Sequence, residues 1–158
     1  MTENSLPDRP RMPTGYGVGD PRYGFEAIEW SWVVERMSGA RNYWVITTRA
    51  DGSPHASPVW GVWQDSAFHF FTDEGSLKAR NIRRDPRAVV HLESGDEVVI
   101  MEGTLESVVA TPDVVSAYES KYGISLGDEP EGLYRLKTTK VLAWLESDFP
   151  KTATRWLF

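Results

Sequence analysis

Thr72-Asp73-Glu74-Gly75-Ser76-Leu77-Lys78-Ala79-Arg80-Asn81-Ile82-Arg83-Arg84-Asp85-Pro86 lies between two apolar runs, Phe68-His69-Phe70-Phe71 before it and Ala88-Val89-Val90-His91-Leu92 after it. Both runs read as strands. Between them Gly75-Ser76 reads as a turn and a hydroxyl N-cap, and Pro86 ends the short helix that follows. Five of the 17 Lys and Arg residues (Lys78, Arg80, Arg83, Arg84 and Arg87) fall within ten positions, in a chain of formal net charge -6. A helix start leaves backbone N–H groups without partners, and here a hydroxyl and an ammonium stand beside them. Ser76 and Lys78, with Asn81 three residues on, form a candidate anion site for a phosphorylated small molecule. One charge-assisted hydrogen bond is worth about 1.5–3 kcal/mol, so three or four convergent donors anchor a nucleotide-like tail. The plainer account is a solvated basic helix face, and it suits Arg83, Arg84 and Arg87.

The rest of the chain bounds the class of protein. Its 158 residues suffice for one domain with a substantial core. With no Cys there are no disulfides, thiol nucleophiles or thiolate metal sites, which fits a reducing cytoplasm. No apolar run reaches the roughly 20 residues of a membrane span. Residues 1–8 lack the basic and apolar regions of a signal peptide. A pI near 5.1 argues against general nucleic-acid binding. Seven tryptophans suggest core or subunit-interface filling, with one or two free to wall a flat heterocycle.

Residues 1–24 are dense in Pro and Gly and read as an irregular arm, disordered or draped over a neighbour. The domain proper is expected over 25–158. Residues 25–37 read as an amphipathic helix, 43–48 as a strand, and Ala50-Asp51-Gly52-Ser53 as a hairpin turn. Residues 54–63 read as one strand, placed at an edge by Pro54 and Pro58. Strands at 67–72, 88–92 and 98–109 follow, the last bent at Gly103. A helix over 112–122 ended by Gly123, a loop at 127–132, a strand or pair of strands over 133–146 and an apolar tail at 152–158 complete the pattern. Strands dominate without a βαβ rhythm, so the expected architecture is a small antiparallel barrel with three peripheral helices.

His55, His69 and His91 fall on three different predicted strands, and nothing in their spacing enforces a metal triad. No nucleophile elbow, zinc-protease helix or phosphate-binding P-loop is present, and no carboxylate pair stands out. No residue is therefore assigned a catalytic role, and any chemistry falls to a bound cofactor.

Several stretches keep a characteristic order: 43–48, Asp51-Gly52-Ser53-Pro54-His55, Pro58-Val59-Trp60, Phe70-Phe71-Thr72, Ser76-x-Lys78-x-x-Asn81, Asp85-Pro86-Arg87 and Glu102-Gly103. In this order the chain resembles the pyridoxamine 5′-phosphate oxidase-like superfamily over about residues 25–158, and within it the flavin/deazaflavin oxidoreductases. The resemblance implies a mostly β fold, a six-stranded antiparallel split β-barrel with peripheral helices. It also implies a homodimer with two cofactor sites, for coenzyme F-420 or FMN, in clefts at the subunit interface. The family motif T-x-x-x-S-x-K falls on Thr72, Ser76 and Lys78, which hold the cofactor phosphate in relatives. Phe71, Leu77 and Asn81 flank that motif. Ser57, Pro58, Val59 and Trp60 would lie beside the cofactor ring, and Trp156 resembles a tail residue that closes the pocket.

Two departures narrow the expectation. The R-x-V-L-L-K strand of true pyridoxamine phosphate oxidases is replaced by His55-Ala56-Ser57-Pro58-Val59-Trp60, and Leu77 stands where they carry an arginine. Pyridoxamine phosphate oxidation is thereby rejected, and weight moves from FMN toward F-420. The resulting expectation is hydride transfer from F-420 to a small unsaturated or quinone-like substrate. The alternatives are an FMN-dependent oxidase or reductase, or a non-catalytic carrier of flavin or haem, with His55, His69 or His91 as the haem ligand.

Overall fold

The computed structural model describes residues 5–158, so the first four residues of the arm lie outside the described residues. Its strands, all antiparallel to their neighbours, are β1 (Tyr43–Thr48), β2 (Pro54–Val59), β3 (Val62–Gln64), β4 (Ala67–Phe71), β5 (Arg87–Leu92), β6 (Glu97–Ser107), β7 (Leu133–Leu145) and β8 (Thr154–Leu157). Seven of them run in the order β2-β1-β5-β6-β7-β4-β3, and β8 pairs with β7 beside that path. The fold is the expected split barrel, but with more than six strands. The stretch read as one strand over 54–63 is two, and the apolar tail contributes β8.

That break explains the barrel's shape. β2 and β3 occupy opposite ends of the strand order, yet only Trp60 and Gly61 separate them in sequence. The sheet must therefore curl until its two edges meet at this corner. Gly61 is required there, because a Cβ would collide with the Phe68 ring. Phe68 is fully buried and Phe70 packs beside it at 5.9 Å, so neither ring has room to yield.

Inward positions alternate as the pleat demands. Tyr43, Val45, Val90, Met101, Leu136 and Val141 are buried in the main core. Between Glu102 and Gly103 the β6–β7 register slips, the expected bend in β6. A second, smaller cluster lies under α3 (Pro112–Tyr122), where Val62, Val114, Tyr118, Tyr122 and Leu133 meet. Thr111 caps this helix by accepting from Val114 N–H, and Gly123 closes it in the left-handed conformation.

Three expectations change. Helix α1 spans Trp30–Gly39, starting later than 25, because the preceding segment spends its backbone on the C-terminal region. Glu26 N–H donates to Lys151 carbonyl at 3.0 Å and Ile28 N–H to Thr154 Oγ1 at 2.8 Å. A fourth helix, α4 (Phe149–Thr152), follows β7. The arm is largely irregular but lies along β8, where Asp8 pairs with Arg155 through both backbone bonds and an ion pair of 2.6 Å.

His69 shares the face of Val62, the one α3 covers, and is only 5% exposed. Burial is the main cause holding its imidazole below the usual value of 6.5. The unfolded chain therefore binds the proton first, so acidification below about 6.5 costs stability. We expect urea midpoints to fall as pH drops through this range, and to fall less in His69→Gln. An identical pH dependence in the two proteins would exclude His69 as a source.

Candidate functional site

The segment after β4 folds as its sequence suggests. Asp73 Oδ1 accepts from Gly75 N–H at 2.7 Å, forming an Asx turn that delivers Ser76 to the start of α2 (Leu77–Arg84). Ser76 caps the helix by accepting from Ala79 N–H at 3.2 Å. Its hydroxyl lies 3.2 Å from Thr72 Oγ1, and Lys78 Nζ donates to that same Thr72 oxygen at 3.2 Å. Thr72, Ser76 and Lys78 are thus one knot of donors, and Leu77 projects outward at its side, 36% exposed.

Beside α2 runs the inner face of β1 and its partner β2. Thr47 pairs with His55 and Val45 with Ser57, so His55 and Ser57 point the same way as the buried residues of β1. Asn81 is fully buried and donates to Thr47 Oγ1 at 3.0 Å, tying α2 to that face. Its role in this structure is to dock the helix. Burial first, then the charges of Arg49 and Lys78, hold the His55 imidazole below its usual value. The lysine's charge therefore acts on a β2 side chain.

Charge accounting separates the five clustered cations. Arg83 pairs with Glu74 at 2.7 Å and Arg87 with Asp85 at 2.6 Å. Lys78, Arg80 and Arg84 have no carboxylate partner among the described residues; Arg80 donates to Gly75 carbonyl, and Arg84 to Thr48 carbonyl and Asn81.

Two buried polar atoms on this face of β2, His55 Nδ1 and Ser57 Oγ, lack any partner among the described residues. Such orphans cost about 1–3 kcal/mol each unless a ligand or water meets them. β2 is also an edge strand, bonded to β1 alone. Because proline cannot donate, Pro54 and Pro58 fit only with their nitrogens turned to the free edge, which leaves carbonyls and the Ala56 N–H exposed there. Convergent donors at α2, orphaned polar groups on β2 and an open peptide edge together fit an anionic tail joined to a polar-edged ring.

The other expected site residues are dispersed. Pro58 faces outward on β2, and Val59 is core. Trp60 is 38% exposed at the β2–β3 corner. Phe71 turns to the α3 side and meets Tyr118 edge-on at 5.0 Å. Trp156 is 2% exposed, packed on Trp30 at 5.4 Å within the core. It is not brought to the cleft. Thr47 and Arg49 escaped the sequence reading as site residues, although the Asp51-Gly52 turn sets the register that faces Thr47 with His55. The three histidines point to three different places, His91 lying on the outer sheet face opposite Trp44. Among the described residues no three His, Cys, Asp or Glu side chains are grouped to hold a metal.

The family model described as pyridoxamine 5′-phosphate oxidase matches residues 33–145, a stretch containing both α2 and β2. The chain belongs to this family. Among solved structures, a conserved hypothetical protein from Mycobacterium tuberculosis is similar at 25% identity and a TM-score of 0.65, over 77% of this chain and 88% of that one. An F420 reductase matches at 20% identity and a TM-score of 0.54, over 68% and 94%. A haem-binding protein from Mycobacterium smegmatis matches at 14% identity and a TM-score of 0.60, over 79% and 63%. The last two likenesses speak to fold alone. No curated protein matches. No helix among the described residues is long and apolar enough to cross a membrane.

Proposed function

We propose that this family member is a cytoplasmic, homodimeric oxidoreductase that binds the deazaflavin coenzyme F-420 and reduces a small unsaturated or quinone-like substrate. The observation that carries the reading is the Thr72–Ser76–Lys78 knot at the start of α2, with the orphaned His55 and Ser57 atoms on β2 near enough for the Lys78 charge to act on the His55 imidazole. When bound, reduced F-420 supplies the hydride. The chain's own residues hold and orient. Lys78 neutralises the phosphate, the hydroxyls of Ser76 and Thr72 donate to it, and Ser57 with the free edge of β2 meets the ring's polar rim.

Choice of cofactor follows from charge. Leu77 supplies no second cation beside Lys78 for a compact FMN monophosphate, while the acid-free Arg80 and Arg84 extend positive charge along α2 for a longer anionic tail. The homodimer is supported by the outer sheet face. There part-buried Trp44, Ile46, Val89, Ile100 and Leu142 lie around His91 and the Glu102–Lys140 ion pair, and a groove of about 620 Å³ runs past Ile46, Val89 and Glu102. A mixed face of this kind suits a contact between subunits.

Separate titrations of apoprotein with F-420 and FMN test the reading. Tighter binding of F-420 by about tenfold or more is expected, one charged contact's difference. Protein that purifies yellow and prefers FMN would replace F-420 with the flavin, and a Soret band would favour the haem carrier.

A further inference from the structure

At the opposite end of β2 from His55, five residues and roughly 16 Å along the strand, a second group of cations has no acidic partner among the described residues. Lys121, on the last turn of α3, is half-buried, and its Nζ donates to Tyr43 hydroxyl at 2.8 Å and to Gly61 carbonyl at 2.9 Å. Both acceptors are neutral, and one ammonium proton remains. Tyr43 passes its own proton to Met37 carbonyl. Arg41, exposed at the start of β1, places its guanidinium 5.5 Å from the ring centres of both Trp60 and Tyr122 and makes no side-chain hydrogen bond among the described residues. Trp60 and Tyr122 stack flat, 4.5 Å apart at 6°. Tyr122 hydroxyl in turn accepts from Gly61 N–H at 2.8 Å and donates to Arg41 carbonyl at 2.7 Å, fixing the corner.

A structural clamp on Gly61 explains the two bonds of Lys121. The rings of Tyr43 and Tyr122, 4.9 and 5.4 Å from Lys121 Nζ, favour a cation there, and Arg41 also borders a groove lined by Glu35, Glu93 and Glu97, yet no carboxylate pairs with either cation among the described residues. Two like charges at a partly desolvated corner repel, and an anion between them removes the cost. The exposed indole of Trp60 offers a flat apolar surface next to those charges.

We propose that Arg41 and Lys121 form an anion subsite that receives the carboxylate of a planar, unsaturated substrate lying on Trp60. The proposal deepens the oxidoreductase reading by naming the substrate class, and it rests on that reading only for the fate of the substrate. Arg41 provides the two-pronged contact and Lys121 the charge behind it. Among the groups packed around Lys121, Tyr43 and Tyr122 are neutral at ordinary pH. Arg41 is the one charge acting on it, and together with burial it brings the amine to about 8.

Benzoate serves as the probe, and the ε-carbon NMR signal of Lys121 in lysine-labelled full chain as the readout. Saturating benzoate is expected to raise the Lys121 midpoint by about one pH unit, in wild type and in Lys78→Ala alike. In Arg41→Gln, an exposed position, the free midpoint rises and benzoate no longer moves it. An unmoved midpoint in wild type, or an equal benzoate response in Arg41→Gln, would overturn the subsite. An equal response to inorganic phosphate would overturn the planar-carboxylate assignment. F-420 binding without the benzoate response leaves the cofactor reading standing alone, whereas the response without F-420 binding removes that reading and keeps the subsite.

Discussion

Trp156→Ala is expected to lower the unfolding free energy by about 3–5 kcal/mol, and the melting temperature by roughly 10 °C for a chain of this size. The indole is 2% exposed, contacts Trp30 edge-on at 5.4 Å, and lies on β8 opposite Val141 of the central β7. Truncation leaves a cavity that Trp30, held also by Trp63 and Phe158, is poorly placed to fill. A residue that merely closed a pocket would instead lose ligand affinity at little cost in stability. Thermal and urea denaturation of apoprotein separate the two roles, and a shift below 2 °C would return Trp156 to the pocket.

The second large effect ties the cleft to the fold. Gly132 sits at φ 78 before β7, its carbonyl accepting from Thr72 N–H at 2.9 Å, and a Cβ there would collide with the Thr72 carbonyl. Gly132→Ala therefore combines the cost of a left-handed alanine, about 1–2 kcal/mol, with a backbone clash worth about 1–3 kcal/mol. The residue displaced is Thr72, which receives the Lys78 ammonium. A fall in melting temperature of roughly 10 °C should come with weaker F-420 binding in the fraction that stays folded. Stability lost with affinity intact would show that Thr72 is not needed in the knot.

The capped turn at the start of α2 was legible because its signals are local: an Asx turn, a serine cap and a lysine two residues later require only that segment itself. The hairpin after β1 was equally local, since Gly52 at φ 84 and Asp51 bonding Ser53 form the turn. The β2–β3 break was not legible, because Trp60-Gly61 carries no turn chemistry. The chain changes strand partners there under the demand of barrel closure. The burial of Trp156 was not legible for the same reason, since it depends on Trp30 of α1 packing on β8. Arg41 and Lys121 stand 80 residues apart in sequence and meet only once α3 docks on the corner.

The most direct measurement is the F-420 dissociation constant of Lys78→Ala against wild type, with melting temperatures to show that both proteins are folded. Loss of the ammonium should weaken binding by about tenfold or more while the melting temperature stays nearly unchanged, since among the described residues Lys78 hydrogen-bonds only to Thr72. A folded Lys78→Ala protein that binds F-420 as tightly as wild type would contradict a cofactor grip at the start of α2.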